Sequence, residues 1–256
     1  VIGASRSKKK VGGIILDNLI SHKFKARIYP VNPNREKVQG ITAYASVLSI
    51  PEPVDVAIIS IPSAYVEEVV EECGQKGIKY VIILSAGYSE SGKEGLLREL
   101  KLKQILHKYQ INLLGPNCLG LINARNNLNL SFADSPTSYS KGKVSFISQS
   151  GAIGTAFLDW SKTNNLEICK FVSLGNKAGL NEIDFINYFY QDPETKIILL
   201  YLENFSDGRK FFELAKLVTK TKPIIVLKPG KNESTVKAMS AHTGSLASNE
   251  KVVDVA

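Results

Sequence analysis

Short, β-branched apolar runs alternate with helix-period stretches along nearly the whole chain, and this alternation narrows the fold more than any other feature. Strands are expected at 1–3, 27–31, 54–60, 80–84 and 111–114, with helices at 11–23, 63–76 and 90–109 between them. The runs are almost uninterrupted in hydrophobicity, as in a parallel sheet covered on both faces. A polar stretch, 123–141, reads as a connection plus a short extended segment. The alternation then restarts, with strands at 144–147, 168–172, 196–201 and 223–228 and helices at 152–164, 182–190 and 207–220. The expected class is α/β, two doubly wound parallel-sheet domains, 1–123 and 124–256. No short-period repeat is present.

In sheets of this kind ligands bind beyond the carboxyl ends of the strands, and the informative residues cluster there. Gly3-Ala4-Ser5, followed by Lys8-Lys9-Lys10 and Gly12-Gly13, is a small-residue loop feeding a helix whose N-terminus favours phosphate. It is not the G-x-G-x-x-G dinucleotide fingerprint. Nor does the second strand end in a ribose-binding acid; it ends Val31-Asn32-Pro33-Asn34, so NAD and a nicotinamide-dependent oxidoreductase are disfavoured twice over. Three more tips complete the rim: Ser60-Ile61-Pro62-Ser63, Ser85-Ala86-Gly87 with Ser89-Glu90, and Gly115-Pro116-Asn117-Cys118-Leu119-Gly120. Ser63 and Ser89 serve equally well as helix N-caps. Cys118 has no base within sequence reach and reads as a structural thiol.

In the second half, Ser148-Gln149-Ser150-Gly151-Ala152 and Ser173-Leu174-Gly175-Asn176-Lys177 are two Ser/Gly loops read as opening helices, able to cradle one tetrahedral anion between them. The first lacks the G-x-S-x-G spacing of a serine hydrolase. Glu203 ends a strand, where a carboxylate can hold one nitrogen of an imidazole and expose the other. That imidazole is His242, in the small-residue loop Met239-Ser240-Ala241-His242-Thr243-Gly244-Ser245, where it has room to act as a nucleophile. Read alone, the loop favours an exposed turn histidine, and the rest of the chain shifts that reading. His22 and His107 stand among lysines on expected helices and read as solvated, Asp184 and Asp192 as helix-surface and turn residues.

Residues 1–40 carry nine basic side chains against Asp17 and Glu36, almost the whole of the chain's net +8. Such a cluster suits a phosphorylated ligand or a solvated face. Nucleic acid fits less well, because no stacking aromatics are interleaved. Three scattered cysteines make neither a metal pattern nor a disulfide framework. No apolar run reaches membrane-spanning length, and the chain is read as cytoplasmic. Opening on a strand without Met and stopping in what reads as a helix start at 250–256, it is expected to be part of a longer polypeptide.

Taken in order and spacing, Gly3-Ala4-Ser5, Val31-Asn32-Pro33, Gly115–Gly120, Ile147–Ala152, Ser173–Asn176 and His242-Thr243-Gly244-Ser245 resemble the nucleoside-diphosphate-forming acyl-CoA synthetases, relatives of succinyl-CoA synthetase, and above all the ADP-forming acetyl-CoA synthetase branch. The resemblance implies a Rossmann-like coenzyme A domain followed by a flavodoxin-like domain with a transiently phosphorylated histidine. His242 matches that histidine and Glu203 the acid that orients it. Coenzyme A falls to Gly3, Ala4, Ser5, Lys8, Lys10, Val31, Asn32, Pro33, Ser60, Pro62, Ser85, Ala86, Gly87, Glu90, Asn117 and Cys118. Phosphate falls to Ser148, Ser150, Gly151, Ala152, Gly175 and Asn176; no metal ligand is implied within the chain. ADP or ATP with Mg is expected on an ATP-grasp domain or subunit that nothing here resembles, and the whole is expected to be an oligomer acting on a small acid, coenzyme A and phosphate. The alternative is a non-catalytic coenzyme A-sensing module, such as the synthetase-like half of a protein acetyltransferase.

Overall fold

The computed structural model describes residues 1–34, 36–133 and 142–229. In chain order the elements are α1 (Val11–Ser21), β1 (Lys37–Val38), β2 (Ile41–Thr42), β3 (Val56–Ile59), α2 (Val66–Gln75), β4 (Tyr80–Ile83), α3 (Lys93–Tyr109), β5 (Asn112–Leu114), β6 (Gly120–Asn123) and β7 (Leu128–Ser131). The second half adds β8 (Val144–Ser148), α4 (Gly151–Thr163), β9 (Ile168–Ser173), α5 (Glu182–Gln191), β10 (Ile197–Tyr201), α6 (Gly208–Val218) and β11 (Ile224–Leu227).

The first sheet runs β3-β4-β5, all parallel, with Val56 opposite Tyr80 and Tyr80 opposite Asn112. Ile2 bridges both Ile59 and Val31, and Val31 bridges Tyr44, so the sheet continues past β3 as single bridges. The expected strands at 1–3 and 27–31 shrink to these bridges for local reasons. Gly3 turns at once with φ 83°, and Pro30 has no N–H to give a ladder. Ile59, Val70, Ile83, Leu102 and Leu113 fill the core beneath α2 and α3.

The second sheet has the order β11-β10-β8-β9-β6-β7. Its strands β8 to β11 are parallel, whereas β6 joins β9 antiparallel and β7 in turn joins β6 antiparallel. The polar stretch after residue 123 therefore hides a strand. Its turn is closed by Asn127 in the left-handed region, which asparagine tolerates, and Asn129 Oδ1 accepts from Ser131 N and Oγ. Asn18 of α1 donates to Ser131 O at 2.9 Å, tying the hairpin to the first unit. One apolar cluster accordingly runs through both units, from Ile15 and Ile58 to Ile147, Ile198 and Phe211.

A second hairpin, β1–β2, was equally hard to read, because each strand is two residues long. Its turn residues Gln39 and Gly40 both have positive φ, as a primed hairpin turn requires. Neither Ser63 nor Ser89 caps a helix: short 3-10 turns at 63–65 and 89–91 precede α2 and α3, whose first residues follow Tyr65 and Gly92. Among the described residues no helix is long and apolar enough to cross a membrane.

Candidate functional site

At the carboxyl ends of the first sheet, loop 3–10 lies directly on the start of α1. A Cβ on Gly12 would stand 2.1 Å from Gly3 O, so only glycine allows this approach. No acidic residue occupies the first turn of α1, leaving its positive end open to an anion. Asn32 Nδ2 donates to Ala4 O at 2.8 Å, and Gln39 Nε2 donates to Ser5 O and Gly13 O, so the second strand end and the β1–β2 turn both brace the loop. Ser60 Oγ donates to Ile2 O, Ser85 Oγ to Ile61 O, and Glu90 Oε1 accepts from Gly87 N and Tyr88 N. Pro33, Pro62, Ala86 and Asn117 are exposed on this rim.

Two expectations about the rim need correction. Cys118 and Val31 are withdrawn into the core, 3% and 6% exposed, so neither side chain faces a rim ligand; burial pushes the Cys118 thiol up to about 12. The basic cluster is also split. Lys25 and Arg27 line a cavity of about 470 Å³ at the amino ends of the strands, the wrong end for a phosphate at the rim, and Arg27 pairs with Glu52. Lys8 pairs with Asp17 at 2.6 Å. Among the described residues, Arg6, Lys9, Lys10 and Lys37 remain near the rim, Arg6 Nε reaching Lys37 O.

In the second unit the two Ser/Gly loops differ. Loop 148–152 opens α4: Ser150 Oγ caps by accepting from Ile153 N, Ser148 Oγ donates to Ser150 O, and Gly151 and Ala152 begin the helix with N–H groups that lack intrahelical partners. Loop 173–177 does not open a helix, since α5 begins only at Glu182 under an Asn181 capping box. Its backbone is stitched to the first unit instead: Asn176 N, Ala178 N and Leu180 N donate to the carbonyls of Pro116, Gly115 and Leu113. The Asn176 amide donates to Glu90 Oε2 and Ser89 Oγ and accepts from Asn117 Nδ2. A Cβ on Gly175 would stand 2.2 Å from Pro116 O. Gly175 and Asn176 thus join the two rims, whereas loop 148–152 keeps the free N–H groups of a helix start.

Glu203 stands just past β10, 4% exposed, and no described residue donates a hydrogen bond to its carboxylate. Its backbone N–H donates to Gln149 Oε1 at 3.0 Å, which seats it beside loop 148–152. Lys177, in the left-handed region at φ 57°, buries its Nζ against Glu182 and Asn204 O. Burial pushes that ammonium below its ordinary range, while Glu182 and Glu203 act in the other direction. Gln149 and Lys177 fall within the two Ser/Gly loops read from sequence, but nothing local gives them or Glu182 a role. His242 lies outside the described residues. His22, read as solvated, is half-buried at the end of α1 with Nδ1 2.7 Å from Asn18 O, whereas His107 is exposed.

A family model described as CoA binding domain matches residues 1–124, and one described as succinyl-CoA ligase like flavodoxin domain matches 141–256. The ADP-forming acetate–CoA ligase II subunit alpha of Pyrococcus furiosus is 45% identical over 256 residues, covering 100% of this chain and 55% of its own length. The ADP-forming acetate–CoA ligase I of Archaeoglobus fulgidus is 47% identical over 247 residues, covering 96% of this chain and 36% of its own. The chain belongs to the nucleoside-diphosphate-forming acyl-CoA synthetase family. A solved structure of a family member agrees in fold: the acetyl-coenzyme A synthetase 1 of Candidatus Korarchaeum cryptofilum, in complex with phosphate and ADP, superposes with a TM-score of 0.93 at 39% identity, over 99% of this chain and 54% of that one. The chain thus spans between about a third and about half of the length of these family members.

Proposed function

We propose that this chain is the coenzyme A-binding and phosphohistidine-bearing portion of an ADP-forming acyl-CoA synthetase, with acetyl-CoA the favoured acyl donor. Residues 1–123 take coenzyme A, its phosphates at loop 3–10 and the basic side chains beside it. Residues 124–256 carry the phosphoryl chemistry. The observation that carries this reading is the placing of Glu203: just past β10, 4% exposed, and fixed by its backbone to the loop that opens α4. A carboxylate held at that strand end can accept a hydrogen bond from an imidazole, and the ring N–H of His242 is a fitting donor.

Phosphate held at the start of α4 attacks the thioester carbonyl; the C–O bond forms, the C–S bond breaks, and the coenzyme A thiolate leaves and takes a proton. His242 then attacks phosphorus of the acyl phosphate, the P–O bond to the acyl group breaks, and the free carboxylate departs. Glu203 holds the tautomer that leaves the attacking nitrogen bare. A terminal oxygen of ADP finally takes the phosphoryl group from His242, giving ATP. Helix N-termini suit such transfers, which depend on positioning and charge stabilisation. ADP and Mg belong to an ATP-grasp domain or subunit, and the assembly works in the cytoplasm. No observation favours the non-catalytic alternative.

The test is phosphoryl labelling of the full-length chain, assembled with its nucleotide-binding partner, from radiolabelled ATP. The parent is expected to gain an acid-labile, base-stable phosphoryl group that acetate and coenzyme A discharge. His242→Ala is expected to gain none; equal labelling in that variant would overturn the mechanism.

A further inference from the structure

The loops that follow β8 and β9 each send one side chain into the turn that carries Glu203. From the first, Gln149 Oε1 accepts the backbone N–H groups of Glu203 at 3.0 Å and Asn204 at 3.3 Å. From the second, Lys177 Nζ donates to Asn204 O at 2.8 Å and to Glu182 Oε2 at 3.0 Å. Glu182, the first residue of α5, closes the ring by accepting from Ser206 N and from Ser206 Oγ. The backbone from 203 to 206 is therefore gripped on both sides by side chains that come from distant parts of the chain.

The grip is built from expensive parts. Lys177 adopts a left-handed backbone that a non-glycine residue seldom takes, and its side chain is 5% exposed beside a fully buried Glu182. Neither feature is needed to complete a strand or cap a helix, because α5 already has its Asn181 cap. What the cost delivers is the fixed position of one turn, and the residue at the head of that turn is Glu203, 4% exposed.

We propose that Gln149 and Lys177 are positioning residues, which hold the 203–206 turn so that the Glu203 carboxylate meets the His242 imidazole. The proposal rests on the roles given to His242 and Glu203 above. The two residues touch neither substrate nor phosphoryl group; they act through the turn. Because Gln149 also belongs to the loop that opens α4, the acid and the anion site are held in one register.

Labelling rates from ATP, in the full-length chain with its nucleotide-binding partner, test this with Q149L, K177M, K177R, E203Q and the K177M/E203Q double variant. K177M and Q149L are expected to label about 10- to 100-fold more slowly with KM for ATP nearly unchanged. K177R is expected to recover most of the rate, and K177M is expected to slow E203Q no further, since both act through one carboxylate. Parent-like labelling by K177M, no recovery in K177R, or losses that multiply in the double variant would each overturn the proposal. A slow E203Q beside a fast K177M sinks this inference alone; a fast E203Q sinks the role of Glu203 as well. Where K177M does not fold, K177M/E182Q, which removes both buried charges, stands in for it with the same expectations.

Discussion

Lys177 Nζ lies 3.0 Å from Glu182 Oε2, and the two side chains are 5% and 0% exposed. An ion pair withdrawn this far from water loses hydration on both sides, so its attraction and its added hydrogen bonds mostly offset that loss. Here the extra bonds go to Asn204 O and to Ser206. The pair therefore specifies where a turn sits more than it stabilises the fold.

This makes an asymmetric prediction for stability. Glu182→Ala leaves a buried ammonium without its counter-charge and should cost about 3–5 kcal/mol. K177M/E182Q removes both charges and should recover much of that loss. Urea unfolding of parent, single and double variants measures it; a double variant less stable than Glu182→Ala would show that the pair is a net stabiliser.

A second buried pair sits at the amino ends of the second sheet, where Lys170 Nζ donates to Asp192 Oδ2 at 2.6 Å and Asp192 also accepts from Thr195 N and Oγ1. Burial alone would raise the Asp192 carboxyl, but hydrogen bonds from Lys170 and Thr195 outweigh it and hold the carboxyl below its ordinary 3.8. The unfolded chain then binds more protons in the window just under that value. Stability from this group is fully present above the unfolded pKa and is lost as pH falls through the folded one. Burial would lower Lys170, yet Asp192 and Cys169 raise it above its ordinary 10.5, so its contribution persists below that value and fades as pH rises through the folded pKa. Urea midpoints from pH 2 to 7 should fall more steeply on the acid side for the parent than for D192N; parallel curves would refute the coupling.

The alternation of apolar strands with helical periods made most of both sheets and all six long helices legible, because burial on two faces leaves a continuous hydrophobic signature. The strands it missed, β1, β2, β6 and β7, are two to four residues long, and the β6–β7 hairpin is interrupted by Gly120 and by polar residues such as Asn123 and Asn129. At the site, Gly3 and Gly12 could be read because close backbone approach excludes every other residue. The contacts of Gln149, Lys177 and Asn176 could not, since the partners lie 54, 27 and 86 residues away. Asp192 looked like a turn residue for the same reason: nothing local announces a lysine at position 170.

Buried thiols make a plain chemical prediction. Cys73, Cys118 and Cys169 are all buried, and burial lifts the Cys73 and Cys118 thiols to about 12. Since the thiolate is the reactive form, only a trace of it is present on Cys73 and Cys118 at pH 7.5, and Cys169 is shielded by its burial. The folded protein should release almost no chromophore from Ellman's reagent within minutes, and three equivalents after denaturation. Rapid native labelling would place at least one thiol at the surface and reopen Cys118 as a rim residue.

Gly12 offers the sharpest link between backbone geometry and ligand. A methyl group there would stand 2.1 Å from Gly3 O and 2.7 Å from Ser60 Oγ, contacts that force loop 3–10 away from α1. The loop and helix start are what would receive the coenzyme A phosphates, so moving them apart should weaken the anion site before it unfolds the domain. Gly12→Ala is expected to raise the Kd for coenzyme A by at least about tenfold while costing about 1–3 kcal/mol of stability, the usual range for overpacking. Gly77 provides the control: it has a similar positive φ to Gly3 but nothing within 4 Å of an added Cβ, so Gly77→Ala carries backbone strain without touching the rim. Calorimetric titration with coenzyme A should find Gly77→Ala at parental affinity. Equal affinities in parent and Gly12→Ala would mean that the contact between loop 3–10 and α1 has no part in holding the ligand.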